Sequence, residues 1–289
     1  MVGLVAAVGL TGCFRTTHIV QRTQAPDMYR STSVENLERI VSERDSSIKT
    51  LNAAVLLIAS TGGGKEGKVI TYTSFKGYIF VRKPHDLRVI MLLPVLGSSA
   101  LDMVSNGETF TLKHATGGHG DVWIQGSNTV TKPSKNGLEN LRPPVFFDSL
   151  LVPGVTEEES VSLTESTRIL APQSKHGPAI EEPDYDLVVM KRGSGNTEQT
   201  ERVVHFSRVT LLPFQQDIYN DKGQIATSAT YDKYQDFNGI QFPTLIDIKR
   251  PLEEYELKLQ VTKLTMNQSL ENDQFELKVP AGVTVQKMN

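Results

Sequence analysis

The chain has 289 residues, 38% of them hydrophobic and 22% charged, and a formal net charge of -3 at pH 7. That length suits one large domain or two small ones and provides apolar side chains for a sizeable core. The slightly acidic balance argues against general nucleic-acid binding, which calls for a basic surface. A single cysteine, Cys13, excludes a disulfide within the chain.

Val2 to Leu10 is a run of apolar and small residues that ends in Leu10-Thr11-Gly12-Cys13. It is too short to cross a bilayer, which needs roughly 20 apolar residues, but it fits the apolar core of a signal peptide. Leu-Thr-Gly-Cys resembles the bacterial lipobox, in which the cysteine thiol is alkylated with diacylglycerol and the chain is cut just before it. The resemblance implies a cleaved signal peptide at 1–12, covalent lipid (palmitate-type acylation) on Cys13 and no other cofactor. No Lys or Arg precedes the run, so the basic start of such a peptide is expected a few codons upstream. The competing reading is a buried first strand with a structural cysteine; glycines inside the run and a polar stretch after it speak against that. Phe14 stands where an Asp would, in the enterobacterial pattern, favour inner-membrane retention. The expected location is therefore the outer membrane, facing the periplasm.

Arg15 to Arg30 is polar and aperiodic, so residues 13–31 read as the lipidated N-terminus and a flexible tether. Residues 32–289 then read as a single domain. Thr32-Ser33-Val34-Glu35 fits a capping box, and Leu37, Ile40 and Val41 follow at helical spacing, predicting a helix from Ser33 to Ser46. From Asn52 the period becomes two. Strands are predicted around Ala53 to Ala59, Lys68 to Val81, Leu87 to Leu93, Leu101 to Val104 and Thr109 to Lys113, with a further short one at Trp123. Asn106-Gly107 is a strong hairpin signal. Leu141 to Leu151, with Pro143 and Pro144 at a first-turn position, predicts a short buried helix. A long loop is expected near 152–184, where acidic residues and prolines cluster. Strands resume at Tyr185 to Lys191, Arg202 to Leu212, Gln215 to Tyr219, Gln224 to Tyr234, Phe242 to Lys249 and Glu254 to Leu264. The pattern is mainly β with α: an antiparallel, curved sheet packed on helices, without βαβ units.

Catalytic motifs are weak. Gly62 to Val69 nearly matches a phosphate-binding loop, but Val69 lacks the hydroxyl and a strand pattern follows where a helix is needed. His114, His119 and Asp121 lie close in a Gly-rich stretch, yet their spacing fits no zinc signature, so they read as polar loop residues and no metal is expected. Glu181 and Glu182 read as solvated charge. No nucleophile-elbow context exists, and the chain is not expected to be an enzyme. Pro94, Val95, Leu96 and Gly97 form a turn whose tip is apolar where turns are normally polar. It either folds back on the core or forms a membrane-touching or transfer loop.

Several stretches together resemble the Lol-type lipoprotein-carrier superfamily, which includes the periplasmic carrier LolA and the outer-membrane receptor LolB. They are Gly77 to Pro84 with Leu87-Arg88-Val89, Asp102 to Gly107, Tyr231 to Tyr234 with Gly239 to Pro243, and Asn267 with Phe275 to Pro280. The resemblance implies an unclosed antiparallel β-barrel, or half-barrel, covered by helices and enclosing a hydrophobic cavity. It also implies binding of lipid or of lipoprotein acyl chains, in lipoprotein sorting or delivery. Expected cavity-lining residues are Val55, Tyr78, Val89 and Met103. Expected partners are membrane lipid, the acyl chains of lipoproteins or other lipids, and a periplasmic carrier protein. The alternative is a structural or sensory envelope lipoprotein that binds a protein partner, its cavity filled by its own side chains.

Overall fold

The computed structural model describes residues 18, 20, 22–94, 97–116, 120–129, 141–172, 174–175 and 177–288. The signal-peptide reading, Cys13, Val95, Leu96 and His119 lie outside these.

After a two-residue strand, β1 (Thr23–Gln24), comes α1 (Val34–Ser47). Ser33 caps this helix: its hydroxyl accepts the Asn36 N–H at 3.3 Å, satisfying one of the free first-turn donors. The cap thus falls one residue later than the Thr32 box suggests, and Thr32 Oγ1 instead accepts from the Asn36 side chain. Leu37 and Val41 are buried.

Eight further elements form the first half of the sheet and its second helix. They are β2 (Thr50–Gly63), β3 (Lys68–Thr71), β4 (Phe75–Arg82), β5 (Asp86–Leu92), β6 (Ser99–Ser105), β7 (Thr109–Ala115), β8 (Asp121–Ser127) and α2 (Pro143–Leu150). The phosphate-loop look-alike is the β2–β3 hairpin. Gly62 sits there at φ 94°, and a Cβ on it would meet the Lys68 carbonyl oxygen at 2.3 Å, so the glycine serves the turn. Asn106 Oδ1 accepts the Glu108 and Thr109 N–H groups and closes the β6–β7 turn. His114 is a buried residue of strand β7, not the polar loop residue expected, while Asp121 pairs with Lys113 at 3.2 Å.

The second half comprises β9 (Glu159–Leu170), β10 (Ala179–Arg192), β11 (Glu198–Ser207), β12 (Pro213–Tyr219), β13 (Ile225–Phe237), β14 (Ile240–Arg250), β15 (Tyr255–Met266) and, at the C-terminus, β16 (Val285–Met288). The long loop expected near 152–184 is mostly a β9–β10 hairpin, paired in register from Glu159–Lys191 to Leu170–Ile180. Its polar sequence has a physical cause: Val161 and Leu163 pack against the core while Ser162, Thr164 and Ser166 face water. An edge strand with one wetted face needs no more than that. Glu182, expected to be solvated, is buried against Arg168 and Ser207.

Among the described residues all strands join one sheet, in the order β1-β10-β11-β12-β13-β14-β15-β2-β4-β5-β6-β7-β8-β16, with β9 on β10 and β3 on β2. The β15–β2 pairing welds the two meanders together. The ends do not meet, so the sheet is unclosed, as expected. Two pairings are parallel, β1 with β10 and β16 with β8, because neither short strand is delivered by a hairpin. The tether expected at 13–31 therefore docks earlier than its polarity suggests. Thr23 and Gln24 join the sheet, and the Arg30 N–H donates to the Arg208 carbonyl at 2.7 Å.

Alternation puts one face of every long strand into the core. In register, Ala53, Ile79, Val89, Met103, Leu112 and Ile124 form one row across the first meander. Leu187, Val204, Gln216, Ala229, Ile248, Leu257 and Ala59 form another across the second. Leu37 and Val41 of α1 and Val145, Phe146 and Leu150 of α2 belong to the same apolar cluster as these rows. Gln216 interrupts its row; it is fully buried and its side-chain amide donates to the Asp148 carbonyl of α2 at 3.2 Å.

On the opposite face, beneath Phe214, lies an ionic group joining β9 to β12. His205 is held by Asp186 at 2.6 Å on Nδ1 and Asp217 at 3.3 Å on Nε2. Arg168 bridges Glu182 and Asp184 and stacks 3.5 Å from the Phe214 ring centroid. Burial opposes charge on His205, but its hydrogen bonds to the two aspartates, and their charges, outweigh this and raise its pKa to about 9. Burial also pushes Asp184 up to about 6, against the pull of Arg168.

Two outcomes follow from this packing. Met103→Ala, at a fully buried position, is expected to cost about 2–5 kcal/mol. Tyr78→Ala, on the wetted face, should stay within about 1 kcal/mol; urea denaturation of both variants checks this, and equal losses would contradict the facing. The second concerns His205. A histidine pKa raised on folding stabilises fully below the unfolded value near 6.5 and loses that contribution as pH rises through about 9. The melting temperature of His205→Gln should thus lie well below wild type at pH 6.5 and converge on it beyond pH 9. A gap that stays constant with pH would contradict the charged triad.

Candidate functional site

Two cavities adjoin the helices. The larger, about 320 Å³, lies between α1 and the turns of the second meander. Ile40 and Val41 of α1 and Val152, just past α2, form one wall; Phe206, Leu211, Leu212 and Pro213 of the β11–β12 connection and Ile240 at the start of β14 form the other. Both walls are set by local chemistry. Past the α1 C-terminus, the Asn267 side chain accepts the Lys49 N–H at 2.7 Å and donates to the Ser47 carbonyl at 2.8 Å. Lys83 pairs with Asp45, and Ser42 Oγ accepts the Val155 N–H at 3.3 Å. The helix is thus fastened to both meanders.

Across the cavity, Leu211 has φ 59°, a left-handed conformation that costs a leucine of order 1 kcal/mol. The turn that imposes it is closed by the Leu211 N–H to the Ser207 carbonyl at 2.8 Å and by the Ser207 N–H to the Leu212 carbonyl at 3.1 Å. The strain places two leucines side by side on the cavity wall.

The polar part of this wall is small. Glu43 is held by Arg39 at 2.7 Å. Arg44 lies 5.1 Å from the Tyr234 ring centroid, and its Nη1 is buried with no hydrogen-bond partner. The Tyr234 hydroxyl is committed to the Pro213 carbonyl at 2.7 Å.

The second cavity, about 210 Å³, lies at α2 and is lined by Pro84, His85, Leu87, Asn128, Phe147 and Asp148 among others. Burial pushes Asp148 up to about 6, partly offset by Arg202. Among the described residues no group of three His, Asp or Glu is placed to hold a metal.

The sequence-predicted residues are not gathered at either cavity. Val55, Val89 and Met103 are buried in the packed core and line neither space. Tyr78 lines neither of them: it is 43% exposed, stacked 6.4 Å from Phe80 on the outer face. Its neighbours in the sequence, Gly77 and Ile79, take the inner face, and period-two geometry forbids Tyr78 the same side. Pro94 and Gly97 are exposed at the tip of the β5–β6 hairpin, with Gly97 at φ 67°.

Sequence reasoning found half of the larger cavity without identifying it as such. The α1 stripe at Leu37, Ile40 and Val41 was visible as helical periodicity. The opposite wall comes from turn residues, and Leu211-Leu212-Pro213 carried one usable signal, an apolar pair before proline where a polar turn is expected.

No protein-family model matches the chain, and no curated protein matches it. Among solved structures, a DUF1329 family protein from Desulfovibrio piger is similar at 15% identity, covering 84% of this chain and 95% of that one, with a TM-score of 0.50. A LolA superfamily protein from Nitrosomonas europaea aligns at 9% identity over 86% of this chain and 99% of its own, with a TM-score of 0.49. A Vibrio parahaemolyticus domain described as outer membrane lipoprotein-sorting aligns at 13% identity over 84% and 97%, with a TM-score of 0.45. The structural neighbours of this chain thus include DUF1329, LolA superfamily and lipoprotein-sorting proteins, and at these identities what the DUF1329 protein shares with it is the fold.

Proposed function

We propose that this protein is an outer-membrane lipoprotein, anchored by lipid on Cys13 and facing the periplasm. It takes an acyl chain of a lipid or of another lipoprotein into the cavity between α1 and the β11–β12 turn. The observation that carries this reading is that cavity: about 320 Å³ with mostly aliphatic walls, at the lower end of the roughly 300–1,000 Å³ typical of small-ligand sites. Each methylene moved into it from water contributes about 0.8 kcal/mol, so binding and release need no covalent step. The resemblance to the Lol-type carriers supports the same ligand class, with α1 and α2 as the cover over the open sheet. In this reading the Pro94–Gly97 tip is the contact with membrane lipid or with a periplasmic carrier protein.

Purified mature protein is expected to take up a fluorescent acyl probe saturably, one per chain. Ile240→Trp, which fills the cavity from its rim, should weaken uptake tenfold or more with little change in melting temperature. Absence of saturable uptake by the wild type would remove the proposal. In cells, Cys13→Ser should move the protein from the membrane to the soluble fraction, and depletion of the protein should leave other lipoproteins mislocalised.

A further inference from the structure

Building on the proposed acyl-chain site, we infer that its ligand is a single-chain amphiphile with a carboxylate head, of the fatty-acid class, held by Arg44. The argument starts from an imbalance in the cavity wall. An arginine there presents five N–H donors, and a buried donor without an acceptor costs free energy that folding would otherwise avoid. Arg44 Nη1 is in that condition. Two polar groups of the same wall have partners elsewhere: the Glu43 carboxylate accepts from Arg39, and the Tyr234 hydroxyl donates to the Pro213 carbonyl. The guanidinium lies 5.1 Å from the Tyr234 ring centroid and hydrogen-bonds the Tyr234 side chain, which orients it and leaves Nη1 unpaired.

Around this cation the walls are apolar, with Ile40, Val41, Leu212 and Ile240 among them. A ligand that satisfies both parts has one aliphatic chain and one anionic acceptor group. Volume favours a single chain: about 320 Å³ is small beside the upper part of the ligand-site range. A monoanionic carboxylate is favoured over a phosphate because a single guanidinium nitrogen is left unpaired, and one charge-assisted N–H···O bond to a monoanion satisfies it. The Glu43 carboxylate on the same rim disfavours a second negative charge.

The test uses full-length mature protein and competition against the bound acyl probe by four twelve-carbon ligands: dodecanoate, dodecanol, dodecyl phosphate and dodecyltrimethylammonium. Dodecanoate is expected to bind about tenfold or more tighter than the alcohol, with the ammonium ligand weakest. Arg44→Gln should erase the preference for dodecanoate over dodecanol while leaving dodecanol within about threefold, and Arg44→Lys should restore part of it. Head-group selectivity of the wild type is read without any variant, so misfolding of Arg44→Gln cannot mask the answer. Equal binding of all four overturns the carboxylate assignment and leaves acyl binding standing, and tighter binding of dodecyl phosphate overturns it in favour of a phosphate. Failure of every ligand, probe included, removes the acyl-site reading and this inference with it.

Discussion

A single hydrogen-bonded sheet running through the whole fold imposes one demand: its inner face must be covered along its full length. A barrel meets that demand by closing on itself, so that facing strands bury one another. Here the ends stay apart, and the rows from Ala53 to Ile124 and from Leu187 to Ala59 contribute to one apolar cluster. Two short helices add side chains to the same apolar cluster, α1 between β1 and β2 in the chain and α2 between the two meanders. Both short helices are stabilised mainly by that contact, since isolated helices of such length are marginal in water.

The two cavities lie where these helices meet neighbouring strand ends and turns. The larger one owes its shape to fasteners that have nothing to do with a ligand: Asn267 beyond one end of α1, Lys83 on Asp45, and Val155 on Ser42. These hold the helix at a fixed height above Phe206 and Ile240. The strained Leu211 turn then defines the far wall. Polar groups in such a place stand out energetically, which is why one guanidinium nitrogen there matters more than the many exposed ion pairs elsewhere.

Much of the sheet could be read from the sequence because period two is a local property. Leu51 to Ala59, Gly77 to Val81 and Tyr255 to Leu259 announce their inner face residue by residue. The same rule separates Tyr78 from the other three expected lining residues: its parity turns it to the wetted face, while Val55, Val89 and Met103 face the core. What the sequence did not show depends on partners distant in the chain. Strand β9 looks like a loop until β10 lies beside it, and Thr23–Gln24 and Val285–Met288 are too short to carry a pattern. The cavity residues Val152, Leu211 and Ile240 sit at ends and turns, where position is decided by the neighbouring meander instead of by composition. Asp184, Asp186, His205 and Asp217 likewise carry no sign in sequence, since their common site exists only once three strands are aligned.

The early docking of the N-terminal segment has a consequence for reach. If the anchor is at Cys13 and the free leash ended at residue 31, eighteen residues (31 − 13) would allow roughly 60 Å of travel when fully extended. The chain is instead captured at Thr23 by β10, and Arg208 holds Arg30 and Tyr29 a little further on. That leaves ten residues (23 − 13) between Cys13 and the sheet, a span of at most roughly 35 Å. Under the proposed anchoring, the sheet would therefore be held within roughly that distance of the lipid, about half the reach of a tether running to residue 31.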